Sequence, residues 1–254
     1  MRIPFLMSSS WTLSESYNDT PVGNAFSTLE STFAMTGVEI TRDIISSMCR
    51  TEIDGKGYYL KRYTGGGKNL RRYIGRSRIR GEWESMLFFH EHGIPAAKVV
   101  AYGQEIQWGV MTRGALVTEE APNTLDLRQM VRDSIPWLKD RIWIAKVIEQ
   151  LAPAVRTMHS QSFIHTDLKW RNILVSQNEE PEICFIDCPA GQKVLPFFLE
   201  RGIIKDLACL DKMGKQHLTR TQRLRFYRLY CGGRLRASDK VRIRKILNFF
   251  EGRE

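Results

Sequence analysis

Along the first 35 residues, Ser, Thr and Asn alternate with scattered aromatics and no hydrophobic period holds. This stretch therefore reads as an irregular N-terminal extension, residues 1–35. From Val38 the pattern tightens into three short β-prone runs at 38–44, 48–53 and 58–63. The last two flank Asp54-Gly55-Lys56-Gly57, a hairpin signal because glycine takes positive φ without steric cost. TGGGKN at 64–69 breaks the run. Trp83, Met86, Leu87 and His90 then recur at helical spacing over 79–92, and Gly93 and Pro95 end that helix. Further strands are predicted at 97–102, 109–112 and 115–118. Helical structure starts over 124–131, a long amphipathic helix covers 137–159, and the chain from about 199 onward is mostly helical.

This order describes an α+β protein: a small β-rich lobe with one main helix over 36–121, then a larger, mostly helical lobe over 122–254. A short connection at about 117–123 joins them. A chain of 254 residues buries enough surface to fold without cross-links. Its five cysteines are an odd, scattered set with no paired zinc spacing, which points to a reduced, cytoplasmic compartment. No stretch approaches the ~18 consecutive apolar residues of a membrane span. MRIPFLMSSSW, with one positive charge and a short apolar run, does not read as a secretory signal.

The net charge of +10 is unevenly placed. Residues 61–80 hold eight Lys/Arg and no acid, and residues 215–254 hold twelve Lys/Arg against three acids, so the remainder is net acidic. Two basic clusters on an acidic body imply an anionic partner: a nucleotide, a nucleic acid, or the acidic inner face of a membrane, contacted peripherally. For any single Lys or Arg, a solvated helix face is the simpler account.

The strongest chemical signal is His165-Thr166-Asp167-Leu168-Lys169-Trp170-Arg171-Asn172, followed by Asp187 in Phe185-Ile186-Asp187-Cys188. A loop after a long helix here presents a carboxylate, an ammonium and an amide, and a β-hairpin returns a second carboxylate. Phosphoryl transfer needs this set: a carboxylate for the hydroxyl proton, oxygen ligands for Mg²⁺, and a cation on the moving phosphate. Its alternative is a capped loop whose polar groups only satisfy backbone. TGGGK at 64–68 is not a nucleotide-binding P-loop, since no Ser/Thr follows Lys68.

The segment resembles the catalytic loop of protein-kinase-like enzymes, H-R-D-L-x-x-x-N, and ICFIDCP resembles their magnesium-binding segment. A nearer likeness is carried by YYLKRY, GEW, HGIPAAKVVAYG, HTDLKWRNILV, FIDCP and KDLACLDK. Together these resemble the bacterial lipopolysaccharide core kinases, which use ATP to phosphorylate heptose or Kdo, over nearly the whole chain from about Trp11. The resemblance implies a bilobal protein-kinase-like fold with ATP and Mg²⁺. Lys61 would contact the α/β-phosphates and be held by Glu82, while Asn172 and Asp187 would ligate Mg²⁺. Asp167 would orient and deprotonate the acceptor hydroxyl, and Lys169 would neutralise charge on the γ-phosphate. Adenine would meet backbone groups near Glu119 and Ala121. The acceptor would be core oligosaccharide or a lipid-linked form of it.

Departures narrow this expectation. No G-x-G-x-x-G lies between the first two strands; the equivalent turn, Asp43-Ile44-Ile45-Ser46-Ser47, would use backbone N–H groups and the hydroxyls of Ser46 and Ser47. Thr166 replaces the motif arginine, and Cys188-Pro189 replaces Phe-Gly, which argues against a phosphorylation-switched protein kinase. His165 reads as structural, bonding backbone to shape the loop. Asp206 is either a tether for that loop or a surface acid, and Trp170 either stacks on a sugar or anchors the loop. Competing functions are a kinase of another small molecule or of protein, and a non-catalytic scaffold. A basic RNA binder is a further alternative, although Phe226, Tyr227 and Tyr230 read better as core-facing.

Overall fold

The computed structural model describes residues 7–65 and 75–252. The chain divides into two units, Met1–Leu87 with Ala97–Glu120, and Phe88–Ala96 with Ala121–Glu254. The first contains β1 (Met7–Leu13), α1 (Pro21–Ala25), α2 (Leu29–Ala34), β2 (Val38–Arg42), β3 (Ser46–Ile53), β4 (Lys56–Tyr63), most of α3 (Arg78–Glu91), β5 (Val99–Gln107) and β6 (Val110–Glu119). Its described strands form one antiparallel sheet in the order β1-β5-β6-β4-β3-β2.

The hairpin signal at Asp54-Gly55 is a two-residue turn. Both residues hold positive φ, 52° and 74°, so Ile53 pairs directly with Lys56. A second turn of this kind, Trp108-Gly109 at 56° and 75°, pairs Gln107 with Val110. The strands expected at 109–112 and 115–118 are therefore one continuous strand, β6. Gly114, between the two expected strands, serves packing: a Cβ there would lie 2.9 Å from the Ile79 side chain of α3 and 3.0 Å from the Gly103 carbonyl.

The reading of 1–35 as irregular is also corrected. Met7–Leu13 pairs with β5 along its whole length, and two capped helical turns follow. Val22 of α1 and Phe26, which caps its C-terminus, pack into a buried cluster with Tyr58, Leu60, Val100 and Val117, joined by Trp11, Leu13 and Tyr17. No long hydrophobic period was visible because each piece is too short to carry one.

The second unit contains β7 (Thr124–Asp126), α4 (Leu127–Arg132), α5 (Arg141–Ser160), β8 (Phe163–Ile164), β9 (Ile173–Ser176), β10 (Ile183–Phe185), β11 (Gln192–Lys193), α6 (Pro196–His217), α7 (Arg220–Tyr230) and α8 (Ala237–Leu247). Thr124 begins a strand rather than a helix, and Asp126 caps α4 by accepting from the Gln129 N–H. The predicted helix over 137–159 starts later, at Arg141. Pro136–Lys139 is a 3₁₀ turn, and the Asp140 carboxylate accepts from the N–H groups of Ile142 and Trp143. Along α5, Trp143, Ile144, Val147, Ile148, Leu151 and Val155 are buried at helical spacing, giving the later elements a floor.

Candidate active site

In the first unit, the alternation of β4 turns Tyr58 and Leu60 towards the α1 cluster and Lys61 towards α3. Ile79, Glu82 and Met86 recur on one buried face of α3. Lys61 Nζ and Glu82 Oε1 consequently meet at 2.7 Å, with the Glu82 side chain only 5% exposed. A half-buried pair of this kind fixes the ammonium in one direction, and removing either partner strands the other charge.

Ser46 and Ser47 do not lie in the turn assigned to them. They open β3, paired with Tyr63 and Arg62, while Asp43, Ile44 and Ile45 make the turn. Near the end of β6, the Glu119 N–H donates to the Lys98 carbonyl and the Glu120 N–H to that of Gly57. The Glu119 carboxylate accepts from Tyr17 Oη at 2.7 Å, a contact that sequence reasoning missed. Burial, reinforced by that hydrogen bond, pushes the Tyr17 phenol well above its ordinary range. Glu120 is clamped by the Arg50 guanidinium and Tyr59 Oη. In the second unit, the Ala121 carbonyl accepts from Thr124 Oγ1.

In the second unit, the loop between β8 and β9 holds the motif residues His165 to Asn172. Asp206 of α6, fully buried, accepts the His165 N–H at 2.7 Å, which establishes it as a tether. His159 extends this contact, with Nε2 3.4 Å from Asp206 Oδ2 and Nδ1 2.9 Å from Tyr230 Oη. Trp170 is buried, and its indole N–H donates to the Leu210 carbonyl at 3.0 Å, so it anchors the loop. Thr166 and Asp187 both adopt left-handed φ, 69° and 55°. For a β-branched threonine this conformation costs about 1–3 kcal/mol, which the tethers at either side must offset.

His165 differs from its expected role. Neither ring nitrogen has a hydrogen-bond partner among the described residues, and the ring packs on Phe89 and Phe185 instead. Burial pulls its pKa down, against the attraction of Asp206, Asp167 and Asp187. Burial thus favours the neutral imidazole, and the shaping is done by its backbone.

Asp167 sits at the centre of the loop. Oδ1 is 2.5 Å from Lys169 Nζ, and Oδ2 accepts from Arg171 Nη2 at 2.8 Å. Burial alone would raise its pKa, but the hydrogen bonds and charges of Lys169 and Arg171 outweigh burial and hold it below the ordinary carboxylate value. Arg171 was given no role in sequence, although its i+4 spacing from Asp167 was visible. The Asn172 side-chain nitrogen donates to the Asp167 carbonyl at 2.8 Å, which turns its Oδ1 into the atom able to meet a cation. The Ile186 N–H donates to the Asn172 carbonyl at 3.0 Å, tying the segment that carries Asp187 to this loop. An amide oxygen and a carboxylate are hard donors that suit Mg²⁺.

Of the basic segment 61–80, Lys68, Arg71 and Arg72 lie outside the described residues, and Arg76 pairs with Glu84 at 3.0 Å. Of the three aromatics expected to face the core, Tyr227 and Tyr230 are buried and Phe226 is half-buried.

Comparison with known proteins follows this geometry. The chain is 29% identical over 200 residues to the lipopolysaccharide core heptose(I) kinase WaaP of Pseudomonas aeruginosa, covering 71% of this chain and 72% of the relative. It is 28% identical over 111 residues, 43% of each chain, to the 3-deoxy-D-manno-octulosonic acid kinase of Haemophilus influenzae. A solved structure of WaaP in complex with acyl carrier protein superposes with a TM-score of 0.67 at 25% identity, covering 96% of this chain and 97% of the other. The fold is thus the kinase-like α+β fold that the motif order predicted. Since the family's sequence model matches residues 35–230, which take in β2 to α7 and every charged residue of the catalytic-loop region, the chain belongs to the lipopolysaccharide kinase (Kdo/WaaP) family.

Proposed function

We propose that this chain is an ATP-dependent kinase that phosphorylates a sugar hydroxyl, heptose or Kdo, of the lipopolysaccharide inner core. The observation that carries the reading is the Asp167 carboxylate clamped between Lys169 and Arg171, with Asn172 bonded to its backbone. In this reading residues 36–121 form the nucleotide lobe and 122–254 the acceptor lobe. Lys61, aimed by Glu82, holds the α/β-phosphates, and backbone near Glu119 and Ala121 meets adenine. Asn172 and Asp187 would hold Mg²⁺, which supplies charge neutralisation along the phosphates. Because Lys169 and Arg171 depress its pKa, Asp167 is a weak base. It acts by accepting a hydrogen bond from the acceptor hydroxyl and aiming it, and takes the proton late. That timing suits a loose transition state with little nucleophile bonding. Lys169, released from Asp167 towards the γ-phosphate, would stabilise the transferring group. With ATP as donor, the working location is the cytoplasmic face of the inner membrane.

A partner is inferred as well. The WaaP relative was solved with acyl carrier protein. In the second unit a cavity of about 690 Å³ is lined by Val147, Ile148, Leu151, Leu210 and Ile246, with Lys215 and Arg220 among its polar lining residues. An apolar cavity with cations suits an acyl chain delivered by an acidic carrier. Co-purification of an acyl carrier protein, lost in Ile148→Trp, supports this partner; a carrier-free protein with full activity excludes it.

The deciding experiment is transfer of labelled γ-phosphate from ATP and Mg²⁺ to dephosphorylated core lipopolysaccharide, beside Asp167→Asn. Transfer should fall by at least about a hundredfold in the variant. Survival of transfer removes Asp167 from the mechanism, and ATP binding without transfer by wild type moves the acceptor to another class.

A further inference from the structure

The chain between Asp187 and α6 ends in an unusual surface. Leu195, Phe197 and Phe198 are 60%, 71% and 54% exposed, and the two phenyl rings contact each other at 4.1 Å. Three large apolar side chains within four residues stand in water where a soluble surface scatters them singly. Their charged neighbours are mainly cations. Arg201 and Lys205 follow Phe197 at i+4 and i+8, on the same helix face, and both are exposed. Lys193, also exposed, precedes the patch. The nearest acid, Glu200, is engaged by both arms of the Arg242 guanidinium at 2.8 Å. Beside Phe197 a hollow of about 530 Å³ has Arg201 and Lys245 in its wall, with Glu251 as its other acid.

The patch is held close to the catalytic loop. Gln192 pairs with Ile164 and Lys193 with Phe163, and the Val194 N–H donates to the Ser162 carbonyl. Asp167 lies three residues beyond Ile164, and Leu195 three beyond Gln192. At ~3.6 Å per residue and ~5 Å between strands, the two are at most roughly 27 Å apart. One acceptor molecule can span that distance, with its lipid in a bilayer and its sugar at the carboxylate.

We infer that residues 195–198, with Arg201 and Lys205, form an interfacial anchor that docks the protein on an anionic lipid surface. Aromatic and aliphatic side chains enter the headgroup layer, and the cations above them meet lipid phosphates. The anchor deepens the kinase reading and rests on it only for the identity of the acceptor.

The test is co-sedimentation of the full chain with vesicles of phosphatidylcholine alone, or containing about 30% phosphatidylglycerol to supply negative surface charge. Wild type should partition onto the anionic vesicles, and less so as salt rises. Phe197→Ser with Phe198→Ser should lower that partitioning at least about tenfold, and Arg201→Glu with Lys205→Glu should do so on anionic vesicles. Transfer to a water-soluble, deacylated core oligosaccharide should be unchanged in every variant, while KM for a vesicle-borne acceptor rises. Wild type that stays in the supernatant, or a serine variant that binds like wild type, overturns the proposal. So does an equal loss of activity on the soluble acceptor, or a variant that changes only the oligomeric state. Vesicle binding lost in the serine variant, with no transfer by any form, keeps the anchor and overturns the kinase reading.

Discussion

At the scale of residues, two titratable groups of one loop are pushed down for opposite reasons. Asp167 is held ionised by two cations. In the proposed reading, its depressed pKa keeps the carboxylate ionised as pH falls below the ordinary range. We expect the pH profile of kcat/KM for phosphoryl transfer to show no acid limb from this group above about pH 5. A limb at pH 6–7 that disappears in Asp167→Asn would contradict this. His165 is kept neutral by burial. Below about pH 6.5 the unfolded chain binds a proton there that the folded chain refuses, so stability falls as pH drops. The slope reaches up to about 1.4 kcal/mol per pH unit until the folded pKa is reached. Thermal unfolding from pH 7.5 to 5.5 should show this slope in wild type and lose it in His165→Leu.

At the scale of elements, the loop after β8 is strained locally and held from outside. Its tethers come from α6: the Asp206 carboxylate on the His165 N–H, and the Leu210 carbonyl beneath the Trp170 indole. Replacing Trp170 by Phe removes one buried donor and leaves a carbonyl without its partner, a loss of about 1–3 kcal/mol. Because the change loosens the frame of Asp167, Lys169 and Asn172, kcat should fall more than the KM for ATP. Steady-state kinetics beside a denaturant melt separates the two effects. Sequence spacing could place Trp170 in the motif, but whether it faced a sugar or a helix carbonyl depended on α6, some forty residues later.

At the scale of the whole molecule, the family match begins at residue 35, yet the first unit is not complete without what precedes it. β1 covers the β5 edge, α1 and its C-cap insert Val22 and Phe26 into the core, and the Arg62 guanidinium donates to the carbonyls of Thr32 and Met35. A chain beginning at Gly37 would uncover two large apolar side-chain sites and a sheet edge, comparable to core truncations of about 3–5 kcal/mol. We expect it to melt at least about 10 °C lower or to aggregate, measured by scanning calorimetry and light scattering.

Sequence by itself determined the local and the chemical. Asp54-Gly55 signalled a tight turn, since glycine takes positive φ without cost and aspartate tolerates it. The periods over 79–92 and along α5 set two helices, and H-x-D-x-K-x-x-N followed by Asp187 named the groups on which the proposed phosphoryl transfer rests. Tertiary structure alone decided matters of distance. It closed the Lys61–Glu82 pair implied by the resemblance to 2.7 Å, and it drew Tyr17 onto Glu119. It put Ser46 and Ser47 into a strand, and it made residues 7–34 part of a core. Pairings of that kind depend on strand register and helix packing between segments remote in the chain, and a hydrophobic period read within one segment carries no information about either.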